Sequence, residues 1–172
     1  DSILDDDDSK FTELVSQIVD EDPKSSHRFS MTNYKFPKIL SSNPTYASLC
    51  AFFNSEKCFS ALTLLCPEGI TSEKFQQLDD ENRSIIHFAC SGGSLNIIRE
   101  LYEAGFDLNT VDCDGLYPSH YSAMAGTTDV MKYLWTKGAN ILTNDRNVMT
   151  PLQVACLYGN LDIVKFICEK VD

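Results

Sequence analysis

Hydrophobic and polar positions repeat with a period of 33 residues through the second half of the chain. Three segments of four residues stand at this spacing, at 87–90, 120–123 and 153–156. Each segment begins with a polar residue, continues with an apolar residue and ends with two small or apolar residues. A glycine follows each segment at the same distance, at positions 93, 126 and 159. A period of this length is typical of an array of supersecondary units rather than of one closed fold.

Each unit predicts two helices joined by a short turn. Thr150 and Pro151 mark the start of a first helix, because Thr caps a helix and Pro fits its first turn. The glycine of the period can end that helix in the left-handed conformation. The second helix has apolar residues at helical spacing, as at Ile97 and Leu101, and it closes near Gly105 before an extended polar turn.

Such a helix pair cannot bury its apolar face alone, so at least ~3 stacked units are needed for a stable fold. Upstream of the regular units, residues 44–53 and 56–65 predict another helix pair, with a six-residue insertion expected within 67–78. Residues 8–19 have one apolar helical face and are followed by an irregular connection. We therefore expect residues 1–43 to form a leading helix and connection, and residues 44–78 to form a degenerate unit.

The turns and helix starts have a recognisable motif. Residues 112–120 read Asp-Cys-Asp-Gly-Leu-Tyr-Pro-Ser-His, residues 150–153 read Thr-Pro-Leu-Gln, and residues 105–109 read Gly-Phe-Asp-Leu-Asn. This pattern resembles the ankyrin repeat, with a clear match over residues 79–172. Asn82 and Val148 depart from it, because they stand where the family has a turn glycine.

The resemblance implies an all-α fold, an ankyrin-repeat solenoid of stacked helix–turn–helix units joined by extended turns. It implies repeats at 79–111, 112–144 and 145–172, with the last one truncated. We expect residues 1–172 to form a single domain of this kind.

The charge of the chain narrows the class of partner. The formal net charge is -11, which repels phosphate and argues against nucleic acid and anionic membranes as partners. No apolar run approaches the ~18 to 20 residues of a membrane-spanning helix. Seven cysteines without a Cys-x-x-Cys pair favour free thiols in a reducing compartment, so we expect a cytoplasmic protein.

The residues with catalytic potential have a structural explanation. The resemblance to ankyrin repeats implies a structural role for the position that His87 and His120 occupy. Cys90 occupies a repeat position that requires a small side chain. We therefore expect no enzyme, no cofactor and no metal site. A Cys–His hydrolase is the alternative, and it would require a reactive thiolate at Cys90.

The resemblance also implies where a partner binds, since ankyrin stacks use their turn tips and the concave face of their first helices. Variable positions there include Arg83 and Gly92. The candidate binding residues are an apolar strip and a charged rim: Leu116, Met124, Met149, Leu157 and Tyr158, with Asp80, Glu81, Asp114 and Arg146.

These residues predict a non-catalytic scaffold for protein–protein interaction. The expected partner is a protein segment with an apolar anchor and basic flanks, bound by a monomer. The alternative is a regulatory ankyrin segment of a larger enzyme or channel, whose catalytic or pore domain is absent from this sequence.

Overall fold

The computed structural model describes residues 38–171, and the leading helix expected at 8–19 lies outside this range. Within 38–171 the chain forms nine α-helices and two short 3-10 segments, with no strand, which confirms the all-α prediction. The 3-10 segments are Lys38–Ser41 and Gly69–Thr71. The helices are α1 (Tyr46–Phe52), α2 (Glu56–Leu65), α3 (Glu73–Gln76), α4 (Ile85–Gly92), α5 (Leu95–Glu103), α6 (Pro118–Ala125), α7 (Thr128–Thr136), α8 (Pro151–Leu157) and α9 (Leu161–Val171).

Eight of these nine helices form four pairs, which we call unit 1 (α1, α2), unit 2 (α4, α5), unit 3 (α6, α7) and unit 4 (α8, α9). The hydroxyl of Thr45 caps α1 by accepting from the Ser48 N–H at 3.1 Å, and Thr150 caps α8 in the same way. Gly93 and Gly126 end α4 and α6 with φ of 74° and 78°, as expected for a left-handed C-cap. Asn54 takes this role after α1, with φ of 54°.

The units stack in register and the stack is curved. The first helices α1, α4, α6 and α8 pack side by side more extensively than the second helices α2, α5, α7 and α9 do. Because the row of first helices is packed more closely, that side of the stack is the concave one. The turns that precede the first helices lie along the same edge.

One apolar core runs through all four units, from Ala47 to Ile167. The stretch in which the six-residue insertion was expected forms the second 3-10 segment and α3. It closes the core of unit 1, because Phe75 is buried and its ring meets that of Phe59 edge-on at 5.6 Å.

The turns before units 2, 3 and 4 share one construction. An aspartate (Asp79, Asp112 or Asp145) accepts two backbone N–H groups of its own turn through one carboxylate oxygen, at 2.8 to 3.0 Å. Three residues later the chain is left-handed, at Asn82, Gly115 and Val148 in the three turns. Val148 is the unfavourable member, because a β-branched residue at φ of 61° is strained.

Replacing Val148 should therefore stabilise the protein. The side chain is 70% exposed, so little packing is lost when it is removed. We expect Val148→Asn to raise the free energy of unfolding by about 1 kcal/mol through release of backbone strain. Urea unfolding followed by circular dichroism measures this change, and Asn82→Val should give a loss of similar size. A loss of stability in Val148→Asn would contradict the explanation.

Candidate protein-binding surface

The turn tips form a continuous ridge across the stack. The N–H of Cys113 donates to the Glu81 carbonyl at 2.9 Å, and the N–H of Arg146 donates to the Asp114 carbonyl at 3.1 Å. The same bond joins the Asp80 N–H to the Ser42 carbonyl at 3.1 Å. With their backbone groups used between neighbouring turns, these tips present their side chains outwards.

The charged candidates lie on this ridge. Asp80, Asp114 and Arg146 are exposed, and Glu81 is half-buried because its carboxylate pairs with Arg83 at 3.1 Å. The ridge is acidic over the turns of units 2 and 3, and it becomes basic at Arg146. The structure thus brings the four charged candidates onto one edge.

The apolar candidates fall into two groups that differ in how far their side chains are exposed. Leu116, Met124 and Met149 are half-buried and pack against the core. Leu116 and Met149 share their turn position with Arg83, whose side chain points inwards and is buried. A repeat pattern alone does not reveal how far this position is buried. Whether these three side chains contribute to binding stays a prediction.

Leu157 and Tyr158 are the exposed pair, at 71% and 57%. Tyr158 stands at the same position as Ala125, which is exposed in unit 3. Because unit 3 has a neighbour on each side, the exposure of this position belongs to the concave face itself. Tyr158 is therefore an aromatic side chain exposed on the concave face.

Two other residues that the sequence assigned to variable surface positions have structural roles instead. Arg83 is 3% exposed and forms an ion pair with the buried Asp79. Gly92 lies against the backbone of Phe52, where a Cβ atom has no space. The residues at the same repeat positions in unit 3, Leu116 and Ala125, gave no signal of this. The contacts of Arg83 with Asp79 and Ile39, and the contact of Gly92 with Phe52, depend on residues that are specific to this part of the chain.

The two histidines connect successive units. In unit 2, the ring Nδ1 of His87 accepts from the Ser84 N–H at 3.0 Å, and Nε2 donates to the Leu116 carbonyl at 3.3 Å. His120 repeats this, with its Nε2 at 3.0 Å from the Met149 carbonyl. An imidazole that accepts at one nitrogen and donates at the other is neutral. Burial accordingly lowers the pKa of His87 to about 4 and also lowers the pKa of His120.

The contacts of His87 and the burial of Cys90 argue against the alternative that the chain is a Cys–His hydrolase. Both ring nitrogens of His87 are engaged with backbone groups, so the ring is not placed to activate a nucleophile. Cys90 is fully buried, and burial raises the pKa of its thiol far above the usual range. A protonated, inaccessible thiol cannot act as a nucleophile. His87 and Cys90 are therefore explained by packing.

The buried histidines predict a loss of stability in mild acid. The unfolded chain binds protons near the ordinary histidine pKa of 6.5, whereas folded His87 resists them down to about 4. The stabilisation is thus complete above pH 6.5 and is lost as the pH falls from 6.5 to 4. For His87 alone the loss should reach about 3 kcal/mol.

Glutamine provides the control, because Gln153 stands at the same position and its Oε1 accepts from the Thr150 N–H at 2.8 Å. The double variant His87→Gln and His120→Gln should keep the helix caps and flatten the pH dependence over this window. Urea unfolding at a series of pH values measures both proteins. Equal slopes in the two proteins would show that other groups cause the acid sensitivity.

Across residues 38–171 no cluster of three or more possible metal ligands is present. None of the helices in this range is long and apolar enough to cross a membrane.

Comparison with known proteins agrees with this architecture. A family model described as ankyrin repeats (3 copies) matches residues 46–145 and again residues 86–172. The match begins at α1 and so extends further upstream than the motif at 79–172. A search of curated proteins found no match. Ankyrin repeats generally mediate protein–protein interaction and are typically non-catalytic, and this chain belongs to the ankyrin-repeat family.

Proposed function

We propose that this chain is a non-catalytic scaffold that binds a protein segment along its concave face and turn tips. The observation that carries the proposal is Tyr158, an aromatic side chain 57% exposed on the concave face. Leu157 beside it is 71% exposed. An exposed aromatic next to an exposed aliphatic side chain suits an apolar anchor of a partner.

The charges of the ridge indicate which charge the residues beside the partner's apolar anchor should have. Asp80, Glu81 and Asp114 lie on the turns of units 2 and 3, on the same edge as the concave face. Basic residues flanking the apolar anchor would complement them, and this complementarity would speed association at low salt. Leu116, Met124 and Met149 would add apolar area through their exposed portions.

The free thiols of the chain suit a reducing compartment, so we also propose a cytoplasmic location. A regulatory segment of a larger enzyme or channel would use the same surface, with the catalytic or pore domain in place of a separate partner. The binding surface is therefore the feature to test first.

A peptide selection tests the proposal without a known partner. A displayed library of random peptides is selected against the 172-residue chain, and the enriched peptides are measured by fluorescence anisotropy. We expect an aromatic or aliphatic anchor flanked by Lys or Arg. Tyr158→Ala should weaken binding by about tenfold or more, as expected for an aromatic at the centre of an interface.

The charged ridge gives a second readout. Asp114→Lys should weaken binding, and its effect should shrink as salt increases. Lys132→Ala is the matched control, because Lys132 is exposed on α7, in the row of second helices. Unchanged affinity in a folded Tyr158→Ala variant, or enrichment of acidic peptides, would overturn the proposed surface.

A further inference from the structure

The first helices of the four units carry no charged side chain. None of α1, α4, α6 and α8 contains an Asp, Glu, Lys or Arg. The concave face that these helices form is therefore uncharged. In the part of the chain that the structure describes, a segment lying along this face meets charge at the turns of the ridge rather than at the helices.

The charge of the ridge changes from unit to unit. The turn 79–83 carries three carboxylates and one guanidinium, the turn 112–116 carries two carboxylates and no cation, and the turn 145–149 carries one of each. Asp114 and Arg146 are both exposed, and neither forms an ion pair with another residue of 38–171. The ridge is thus acidic beside units 2 and 3 and has an available cation beside unit 4.

The size of the concave side chains changes in the same direction. At the two repeat positions that end the first helix, residues 91–92 read Ser-Gly, residues 124–125 read Met-Ala and residues 157–158 read Leu-Tyr. The first pair is half-buried, whereas Leu157 and Tyr158 are exposed. The face therefore offers an apolar contact at unit 4 and leaves room above the small residues of unit 2.

Because the two gradients coincide, we infer that the concave face binds a charge-asymmetric segment. Its apolar anchor contacts Tyr158 in unit 4, and its Lys or Arg residues lie only on the side of the anchor that crosses units 3 and 2. There the small residues leave space for long aliphatic stems, whose charged ends reach the acidic turns. Arg146 repels a basic residue on the other side of the anchor. The inference rests on the proposed function, since it names the partner class of the same surface.

The spacing of the units sets the positions of the basic residues. Packed helices lie ~8 to 10 Å apart, and an extended segment advances ~3.3 Å per residue, so one unit corresponds to ~3 residues of the segment. A basic residue ~3 positions from the anchor should meet Asp114, and one ~6 positions away should meet the turn 79–83. Asp114 should be the stronger contact, because Glu81 is paired with Arg83 and Asp80 already accepts a side-chain hydrogen bond.

A peptide library with a fixed anchor tests this asymmetry. Each displayed peptide has one fixed Phe and about seven random positions on either side, enough to cross two units. The library is selected against the 172-residue chain, and Lys and Arg are counted by their distance from the Phe. Within each enriched peptide we expect them on one side alone, at ~3 and ~6 positions. A non-specific attraction to the net charge of -11 would instead place them on both sides.

Charge variants of the chain locate the contacts. Selection against Asp114→Lys should lose the basic residue ~3 positions from the anchor and keep the one ~6 positions away. Selection against Arg146→Glu should yield peptides with basic residues on both sides. Glu169→Lys is the matched control, because it makes the same charge change at an exposed residue of α9, in the row of second helices. Its selection should equal that of the parent chain.

One enriched peptide gives a quantitative check by fluorescence anisotropy. Replacing its basic residue nearest the anchor by Gln should weaken binding to the parent chain about two- to fivefold, as expected for an exposed ion pair. The same replacement should not weaken binding to Asp114→Lys, because the carboxylate that the basic residue meets is gone.

Two results would overturn the inference: Lys and Arg on both sides of the anchor in peptides selected by the parent chain, or an Asp114→Lys selection identical to that of the parent. Either result leaves the proposed function intact if Tyr158→Ala still weakens binding of the enriched peptides. Enriched peptides that bind Tyr158→Ala as tightly as the parent, or a selection that enriches no peptide, would overturn the proposed function and the inference together.

Discussion

Gly92→Ala should destabilise the protein by about 3 kcal/mol, although the same change in an ordinary helix stabilises it. Gly92 is the last residue of α4 and packs against the C-terminal end of α1. A Cβ atom there would come within 2.6 Å of the carbonyl carbon and 2.8 Å of the Cα of Phe52. These are backbone atoms, so the clash can be relieved only if units 1 and 2 move apart. Urea unfolding measures the loss.

Ala125 is the matched control, because it occupies the same position in unit 3 and is exposed. Ala125→Gly should cost only the ~0.5 to 1 kcal/mol of a glycine in a helix. A Gly92→Ala protein as stable as the parent, or more stable, would show that α1 and α4 separate without cost.

Arg83→Met should destabilise the protein by about 3 to 5 kcal/mol, because it leaves a buried carboxylate without its partner. The Nε of Arg83 donates to Asp79 Oδ2 at 2.7 Å, and the side chains are only 4% and 1% exposed. The guanidinium also donates to the Ile39 carbonyl at 2.8 Å and lies over the Phe88 ring at 5.3 Å. The Arg83 side chain thus connects the 3-10 segment Lys38–Ser41 to unit 2. Urea unfolding gives the size of the loss.

Methionine is a natural replacement for the test, since Met149 stands at this position in unit 4. Leu116→Met is the control in unit 3 and should cost less than about 1.5 kcal/mol. Adding Asp79→Asn to Arg83→Met should recover part of the loss, because the amide removes the unpaired charge while its oxygen still accepts the turn N–H groups. No recovery in the double variant would mean that lost packing, rather than the buried charge, causes the destabilisation.

The architecture could be predicted from sequence because each unit repeats the same local sequence signals for helix starts, helix ends and buried faces. The glycines that follow each first helix, and the Thr-Pro helix start at 150–151, determine where helices begin and end through backbone conformation alone. The apolar spacing of α5 determines which side is buried. These signals depend only on neighbouring residues, and their recurrence every 33 residues implies stacking.

The candidate surface was predicted less well, since exposure depends on the neighbouring unit. Leu116 and Met149 have the character of binding residues in sequence, yet both are half-buried against the core. Cys156 and Ala123 share one repeat position, yet Cys156 is exposed and Ala123 is not. No local pattern distinguishes the members of such a pair.

By itself, therefore, the sequence determined the helix–turn–helix unit and its period, whereas the concave edge as a binding surface is what the resemblance to ankyrin repeats implied. The tertiary structure alone decided that Arg83 is a buried ion-pair partner and that Gly92 is a contact point between backbones. It also separated Tyr158, which is exposed like Ala125 at the same repeat position, from Cys156, which is exposed although Cys90 and Ala123 at its repeat position are buried. The reason is physical: helix caps act within one turn of chain, whereas burial is a property of what the next unit places against a residue.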